Sequence, residues 1–253
     1  MKNPIVIIGI GEMAGVFARG LLRTGYPLFP VTRNMNIEQA ATETPQPQAV
    51  LITVAEKDIQ TTLASIPAVW QDKLILIQNE LLPRDWQSLP IKNPTVISVW
   101  FEKKPGTGPT VLIPSPIYGP HAELLSCALE SIGIATEILH TSGQLLYELV
   151  RKNLYILTTN IAGIKTGGTV KDLWEQHEAL ARCVAKEILA IQEFLTGSTF
   201  DFELLIKDML IAFDGDPNHS CKGRSAPARL ARALQIAKEA GIATPQLTAI
   251  ASI

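Results

Sequence analysis

A glycine-rich turn near the start of the chain carries the clearest chemical signal. The sequence GIGEMA, beginning at Gly9, matches the pattern G-x-G-x-x-A between an apolar run and a helical pattern. In such a turn the first glycine permits the bend, the second lets a pyrophosphate approach the backbone, and the helix N-terminus attracts the phosphates. A purely structural turn is the alternative, but the position between strand and helix favours dinucleotide binding. The residues predicted to contact the cofactor are Gly9, Gly11, Glu12, Met13 and Ala14.

The residues after the second apolar run indicate which dinucleotide is preferred. NAD-binding domains usually carry an acidic residue near the end of that strand, where its carboxylate accepts hydrogen bonds from the ribose hydroxyl groups. Here the chain reads Thr32-Arg33-Asn34, without an acidic residue. The planar guanidinium of Arg33 can pair with a 2′-phosphate, and Thr32 and Asn34 can add hydrogen bonds. We therefore predict NADP as the cofactor, the alternative being that Arg33 is a solvated loop residue.

A lysine and an asparagine in the second half of the chain are candidate catalytic residues. Lys152 and Asn160 are eight residues apart in a helical pattern, so their side chains lie on roughly one face. A lysine ammonium can protonate a developing alkoxide, and an asparagine amide can hold a substrate carbonyl or carboxylate. The alternative for Lys152 is a solvated residue on an amphipathic helix. Asn160 lies in a mostly apolar stretch, where a buried amide needs partners.

The hydrophobic pattern predicts the elements that must position these residues. In the first half of the chain, short apolar runs alternate with helical patterns, which favours a parallel sheet with right-handed crossovers and helices on its faces. The predicted strands are 4–9, 29–32, 49–54, 74–78, 95–99, 111–113 and 136–139. Residues 102–104 are predicted to form a surface loop.

After residue 142 the strand patterns stop, and four helical patterns follow. They cover residues 144–164, 171–195, 202–213 and 226–240. We therefore predict an α/β protein in which residues 1–141 form an NAD(P)-binding Rossmann-type domain with a doubly wound parallel sheet. Residues 142–253 are predicted to form an all-helical C-terminal domain for substrate binding and dimerisation.

Composition and charge exclude several classes of protein. Hydrophobic residues make up 47% of the 253 residues and the mean hydropathy is +0.19, so a buried core is expected rather than disorder. A formal net charge of −2 gives no basis for a nucleic-acid or membrane-surface partner. The N-terminal apolar run is too short for a signal peptide or a membrane span. Three widely spaced cysteines show no metal-ligand spacing and no disulfide framework, which favours a metal-free protein of a reducing compartment, the cytoplasm. The predicted partner is a small-molecule substrate.

Several segments of the sequence are similar to the ketopantoate reductase (2-dehydropantoate 2-reductase) family. They are the opening IVIIGIGEMAG, Arg33 after the second strand, LILIQNELLP (74–83), RKNLYILTTNIAG (151–163) and GRSAPARLARALQIAKEAGI (223–242). The resemblance extends over most of the chain. It implies a nucleotide-binding domain followed by a helical domain similar to the C-terminal domain of 6-phosphogluconate dehydrogenases.

The resemblance also implies roles for individual residues. Asn79, in the segment similar to the family's QNG stretch, would border the nicotinamide and the substrate. Lys152 would be the general acid and Asn160 a substrate ligand. The implied reaction is hydride transfer from NADPH to the carbonyl carbon of a small 2-keto acid.

The chain departs from the family pattern at four positions. Where the family carries an asparagine, a glycine, a lysine and a glutamate, this chain has Ile156, Glu80, Ala55 and Pro227, respectively. The nucleotide-binding segments are thus retained, while residues expected around the substrate differ.

Two other functions are compatible with the sequence. The turn and the following GEMAGVFARGLL also resemble pyrroline-5-carboxylate reductases, which reduce an imine and typically dimerise through a helical C-terminal domain. A nucleotide-binding protein without catalytic activity would keep the turn and lose the substrate site, as Ile156 and Pro227 suggest. The apolar helical half favours a homodimer.

Overall fold

The computed structural model, which describes residues 2–103 and 106–253, divides into two units, Met1–Glu148 and Leu149–Ile253. The strands of the first unit are β1 (Ile5–Ile8), β2 (Leu28–Val31), β3 (Ala49–Ile52), β4 (Leu74–Leu76), β5 (Thr95–Ile97), β6 (Phe101–Lys103), β7 (Pro109–Val111), β8 (Ser115–Tyr118) and β9 (Thr136–Ile138). Its helices are α1 (Glu12–Arg23), α2 (Ile37–Glu43), α3 (Ile59–Ala64), α4 (Arg84–Gln87) and α5 (Ala122–Glu130). Two short 3₁₀ turns, Glu56–Asp58 and Ala68–Trp70, complete it.

A seven-stranded sheet forms the centre of the first unit. Its strand order is β2-β1-β3-β4-β5-β8-β9. The first five strands run parallel, β8 runs antiparallel to β5, and β9 runs parallel to β8. Every residue of β1, β3 and β4 is buried, which explains their continuous apolar sequences, because helices cover both faces of such a sheet.

The order of the strands creates a crevice beside β1. The chain pairs β2 with one edge of β1 and then crosses over to place β3 on the other edge. In open α/β sheets, ligands bind outside the carboxyl ends of the strands at such a switch point. The predicted Rossmann-type architecture is therefore confirmed, and the crevice lies where the glycine turn follows β1.

The segment after β5 differs from the prediction. Residues 102–103 belong to β6 instead of a surface loop, and β6 pairs with β7 in a two-stranded antiparallel hairpin. The strand predicted at 111–113 overlaps β7 only at Val111, and it does not belong to the central sheet, which the chain re-enters at β8. Pro116 interrupts the apolar pattern of β8 and removes a backbone donor, which is why the strand was missed. Lys104 lies outside the described residues.

Helices make up the second unit. They are α6 (Ser142–Thr166), within which the boundary between the units falls, α7 (Val170–Thr196), α8 (Phe202–Gly215), α9 (Ala226–Ala240) and α10 (Pro245–Ala251). The four predicted helices are confirmed to within two residues at each end, and α10 was not predicted. Local signals set these limits: Thr169 and Asp172 form a capping box at the start of α7, and Gly241 ends α9 in the left-handed conformation.

None of the helices in the described part of the chain is long and apolar enough to cross a membrane.

Two glycines of α1 provide a matched test of its packing on α5. A Cβ added to Gly20 would lie 2.3 Å from the backbone oxygen of Ala128 in α5, whereas one added to Gly15 would meet nothing within 4 Å. We expect Gly20→Ala to lower the free energy of unfolding by about 1–3 kcal/mol, because backbone must move apart. Gly15→Ala should raise it by about 0.5–1 kcal/mol through helix propensity. Urea unfolding followed by circular dichroism measures both, and equal effects would contradict the close contact.

Candidate functional site

The glycine turn is held against the neighbouring strand. Gly9 has φ +90°, and a Cβ there would lie 3.0 Å from both the backbone nitrogen and Cγ1 of Val54. The hydroxyl of Thr53 donates to the carbonyl oxygens of Gly9 and, at 3.1 Å, of Ile8. Only glycine satisfies both this backbone conformation and this contact. Thr53, which sequence analysis missed, thus holds the end of β1 beside the end of β3.

The N-terminus of α1 has the features that an anion site requires. Gly11 is its N-cap, is exposed and offers no capping side chain, and a Cβ there would meet nothing within 4 Å. The first N–H groups of a helix have no intrahelical acceptor, and the helix dipole makes this end positive. Ala14 packs in the core, while Glu12 is exposed and Met13 half-buried. The open space and exposed donors fit a dinucleotide diphosphate.

The predicted phosphate-reading residues follow β2. Thr32, Arg33 and Asn34 are exposed, and a tight turn is closed by the N–H of Met35 donating to the Thr32 carbonyl at 3.0 Å. Because β2 pairs with β1, this turn and the glycine turn leave the same edge of the sheet. The structure therefore brings the two predicted cofactor segments onto neighbouring strands.

A buried glutamine fixes the turn after β4. The amide nitrogen of Gln78 donates to the carbonyl oxygens of Ile52 (2.8 Å) and Val54 (3.4 Å), and its amide oxygen accepts from the Ile77 N–H (3.1 Å). These bonds join the ends of β3 and β4, and the half-buried Asn79 follows directly. The sequence contained a signal for this role, since a polar residue ends the apolar run LILIQ.

Glu80 adopts a backbone conformation that glutamate rarely takes. Within residues 2–103 and 106–253, Glu80 (φ +60°) and Asn93 (φ +46°) are the non-glycine residues with positive φ. Asparagine tolerates this region, whereas glutamate is strained there. The turn after β4 therefore has a backbone conformation that glycine would adopt without strain.

The charge of Glu80 also acts on a neighbouring carboxyl group. Burial raises the pKa of Asp85, and the negative charge of Glu80 acts in the same direction. The Leu82 N–H, which donates to the Asp85 carboxylate at 2.7 Å, and the charge of Arg84 oppose this shift. The edge of the sheet beyond β4 therefore carries two nearby acidic groups.

In the second unit, Asn160 belongs to a buried hydrogen-bond network. Its side-chain oxygen accepts from a guanidinium nitrogen of Arg229 at 2.8 Å, and its nitrogen donates to the Cys221 carbonyl at 3.2 Å. Asn160 and Arg229 are each 8% exposed. A Cβ at Gly223 would lie 3.0 Å from the amide oxygen, so the glycine leaves room for the side chain. Asn160 thereby ties α6 to α9 and to the segment before it.

Lys152 lies two turns earlier on α6 in a different environment. It is half-buried, and its ammonium lies 5.5 Å from the centre of the Tyr155 ring, within the range of a cation–π interaction. Ile156, where the family has an asparagine, is buried. The structure therefore places Lys152 at a partly accessible position and Asn160 inside the helical unit.

Cys221 is buried beside Asn160 and packs against Gly163, where an added Cβ would lie 2.7 Å from the Cys221 Cβ. Burial raises the pKa of its thiol to about 12, and the charge of Asp172 adds to the shift. The thiol is therefore protonated at neutral pH and inert as a nucleophile. This cysteine serves packing.

Replacing Glu80 tests whether its conformation is strained. We expect Glu80→Gly to raise the free energy of unfolding by about 0.5–1 kcal/mol, because relief of left-handed strain exceeds the entropy that glycine adds to the unfolded chain. Asn93→Gly is the matched control and should change it by less, since asparagine tolerates positive φ. Urea unfolding measures both variants. A loss of stability in Glu80→Gly would mean that contacts of the glutamate side chain outweigh the strain.

Solved structures with the same fold extend over nearly the whole chain. 2-Dehydropantoate 2-reductase from Methylococcus capsulatus gives a TM-score of 0.70 at 14% identity, covering 98% of this chain and 94% of the other. PanE/ApbA family ketopantoate reductase from Ralstonia eutropha JMP134 gives 0.68 at 17% identity, covering 100% and 96%. D-Mandelate dehydrogenase with NADH and anilino(oxo)acetate gives 0.69 at 14% identity, also covering 100% and 96%.

Sequence comparison by itself finds less. No protein-family model matches the chain, and no curated protein matches it in sequence. At identities of 14–17% the structural similarity establishes the fold alone. The resemblance predicted from the motifs is confirmed at that level: this chain has the fold of the ketopantoate reductases.

Proposed function

We propose that the protein is an NADP-dependent oxidoreductase that reduces the carbonyl group of a small 2-keto acid. The observation that carries the proposal is the edge of the first unit's sheet, where the glycine turn opens an exposed helix N-terminus beside the turn that holds Arg33. The similar structures support this choice of chemistry, because they are described as ketopantoate reductases and as a D-mandelate dehydrogenase with NADH.

The cofactor would be held by backbone and side-chain groups of the first unit. The N–H groups of Glu12, Met13 and Ala14 would bind the diphosphate, with Gly11 leaving room for it. Arg33 would pair with the 2′-phosphate, with Thr32 and Asn34 beside it. Bound in this way, NADPH supplies the hydride for reduction of the carbonyl carbon.

Asn79 would contact the nicotinamide end of the cofactor and the substrate. It follows β4, the second strand beyond β1, so it lies farther along the same edge of the sheet than the glycine turn. The bonds of Gln78 to the end of β3 support a fixed orientation for this residue. A fixed amide loses little conformational freedom when it binds a ligand.

Residues of α6 would complete the chemistry. Lys152 would donate a proton to the substrate oxygen as the carbonyl becomes a hydroxyl, which its half-buried, partly accessible position permits. Asn160 would orient the substrate site through its bond to Arg229, since both of its polar atoms already have partners within the second unit.

A homodimer formed through the helical unit belongs to the same proposal, and a ketopantoate reductase from Staphylococcus aureus with this fold is described as dimeric.

Fluorescence titration with NADPH and NADH tests whether the protein binds a nicotinamide cofactor and which of the two it prefers. We expect NADPH to bind at least roughly tenfold more tightly, equivalent to about 1.4 kcal/mol. Arg33→Ala should remove this preference, because a charge-assisted hydrogen bond to the phosphate contributes about 1.5–3 kcal/mol. Arg23→Ala, at the other end of α1, is the control and should bind like the wild type. Binding of neither nucleotide would contradict the reductase proposal as a whole.

Steady-state kinetics with a panel of 2-keto acids tests the role of Lys152 as the general acid. We expect Lys152→Ala to lower kcat by roughly 10²–10⁴-fold, the usual contribution of a general acid. Lys165→Ala, an exposed lysine on the same helix, should leave kcat unchanged. A kcat for Lys152→Ala within threefold of the wild type would rule out the acid assignment.

Turnover of cyclic imines in place of keto acids would favour the pyrroline-5-carboxylate reductase alternative, and NADPH binding without turnover would favour a non-catalytic protein.

A further inference from the structure

An ion pair joins the phosphate-binding helix to the β6–β7 hairpin. The ammonium of Lys103, in β6, lies 3.0 Å from a carboxylate oxygen of Glu12, in the first turn of α1. The Lys103 side chain is only 18% exposed, while that of Glu12 is 49% exposed. The pair therefore connects a mostly buried cation to a carboxylate at the site proposed for the cofactor diphosphate.

The hairpin is firmly seated on α1. Phe101, the first residue of β6, is buried, and its ring centre lies 5.9 Å from that of Phe17 in α1. Pairing of Phe101 with Val111 and of Glu102 with Thr110 fixes the register of the two strands. The packing of the hairpin thus sets the position of the Lys103 backbone relative to the helix.

A cavity of about 390 Å³ lies between α1 and the hairpin and reaches the glycine turn. Its lining includes Gly11, Glu12 and Gly15 from the start of α1, and Gly108 from the hairpin. Two cations, Arg19 and Lys103, also line it. The space beside the turn is therefore bordered by more positive than negative side chains among the described residues.

Glu12 presents an electrostatic conflict for a diphosphate site. A carboxylate in the first turn of a helix interacts favourably with the helix dipole. The same carboxylate repels a diphosphate that uses the N–H groups of that turn, and the repulsion is strong at short range where solvent is partly excluded. A cation in contact with Glu12 removes most of this repulsion.

We propose that Lys103 is a positioning residue for the cofactor, which acts through Glu12 by neutralising its charge and so lets the α1 N-terminus accept the diphosphate. This inference rests on the proposed nucleotide-binding function. The β6–β7 hairpin would then contribute to cofactor affinity. The ion pair would also explain why the acidic Glu12, which directly follows the second glycine of G-x-G-x-x-A, does not abolish phosphate binding.

A double-mutant cycle of NADPH affinity, measured by fluorescence titration on the whole protein, tests the proposal. Lys103→Met should weaken NADPH binding by roughly fivefold, because the loss of a partly exposed ion pair changes an equilibrium constant by about that factor. Glu12→Gln should bind at least as tightly as the wild type. The double variant should recover wild-type affinity within about twofold, because removing the carboxylate makes its neutralisation unnecessary.

Controls separate this effect from a loss of structure. Lys103→Arg should retain wild-type affinity, and Lys171→Met, which removes an exposed lysine paired with Glu175 on α7, should have no effect. Raising the salt concentration should reduce the defect of Lys103→Met, because screening weakens the repulsion from Glu12. A purely structural role of Lys103 in seating the hairpin would leave the double variant as weak as Lys103→Met.

The outcomes also distinguish this inference from the proposed function. If the wild type binds NADPH and Lys103→Met binds it equally well, the role of Lys103 is excluded while the function stands. If the double variant stays weak, Lys103 does not act through Glu12 and the inference is overturned. If the wild type binds neither nucleotide, the proposed function and this inference fall together.

Discussion

The close approach of β1 and β3 at Gly9 is the constraint on which the rest of the first unit depends. The chain can leave β1 there only with a positive φ and without a side chain, because the backbone of Val54 occupies the space of a Cβ. The Thr53 hydroxyl then holds the Gly9 and Ile8 carbonyls in place. From this point α1 starts at the exposed N-cap Gly11, which has no capping side chain, so the contact that closes the sheet also positions the helix N-terminus.

A second constraint operates at the end of β4, where buried hydrogen bonds support a strained residue. Gln78 anchors the turn to the carbonyls of β3 and of the residues that follow it, and Glu80 directly afterwards takes the left-handed conformation. Strain of this kind persists where the surroundings over-determine the backbone, and it is found most often at functional sites.

The helical unit contains a buried hydrogen-bond network of its own. Asn160 is held between Arg229 and the Cys221 carbonyl, and Gly223 leaves room for it, so the network depends on residues from three segments. A buried amide in a fully satisfied network of this kind makes the surrounding structure more rigid. Ile156 and Pro227 meanwhile supply no polar group where the family pattern has one.

The sequence by itself determined the strands β1 to β5, the four long helices of the second unit and the glycine turn. Hydrophobic periodicity reports which side of a segment is buried, and helix caps and glycines are local signals. Arg33 and Asn79 could likewise be placed at strand ends from their positions alone, because the carboxyl ends of parallel strands share one edge.

The tertiary structure alone decided which side chains meet. The Glu12–Lys103 pair, the bond of Gln78 to Ile52 and the bond of Asn160 to Arg229 each join residues far apart in the chain. It also decided that the chain after β5 first turns back in a hairpin and then enters the sheet at β8. Such contacts depend on how separate elements pack against one another, and periodicity within one element carries no information about its partner.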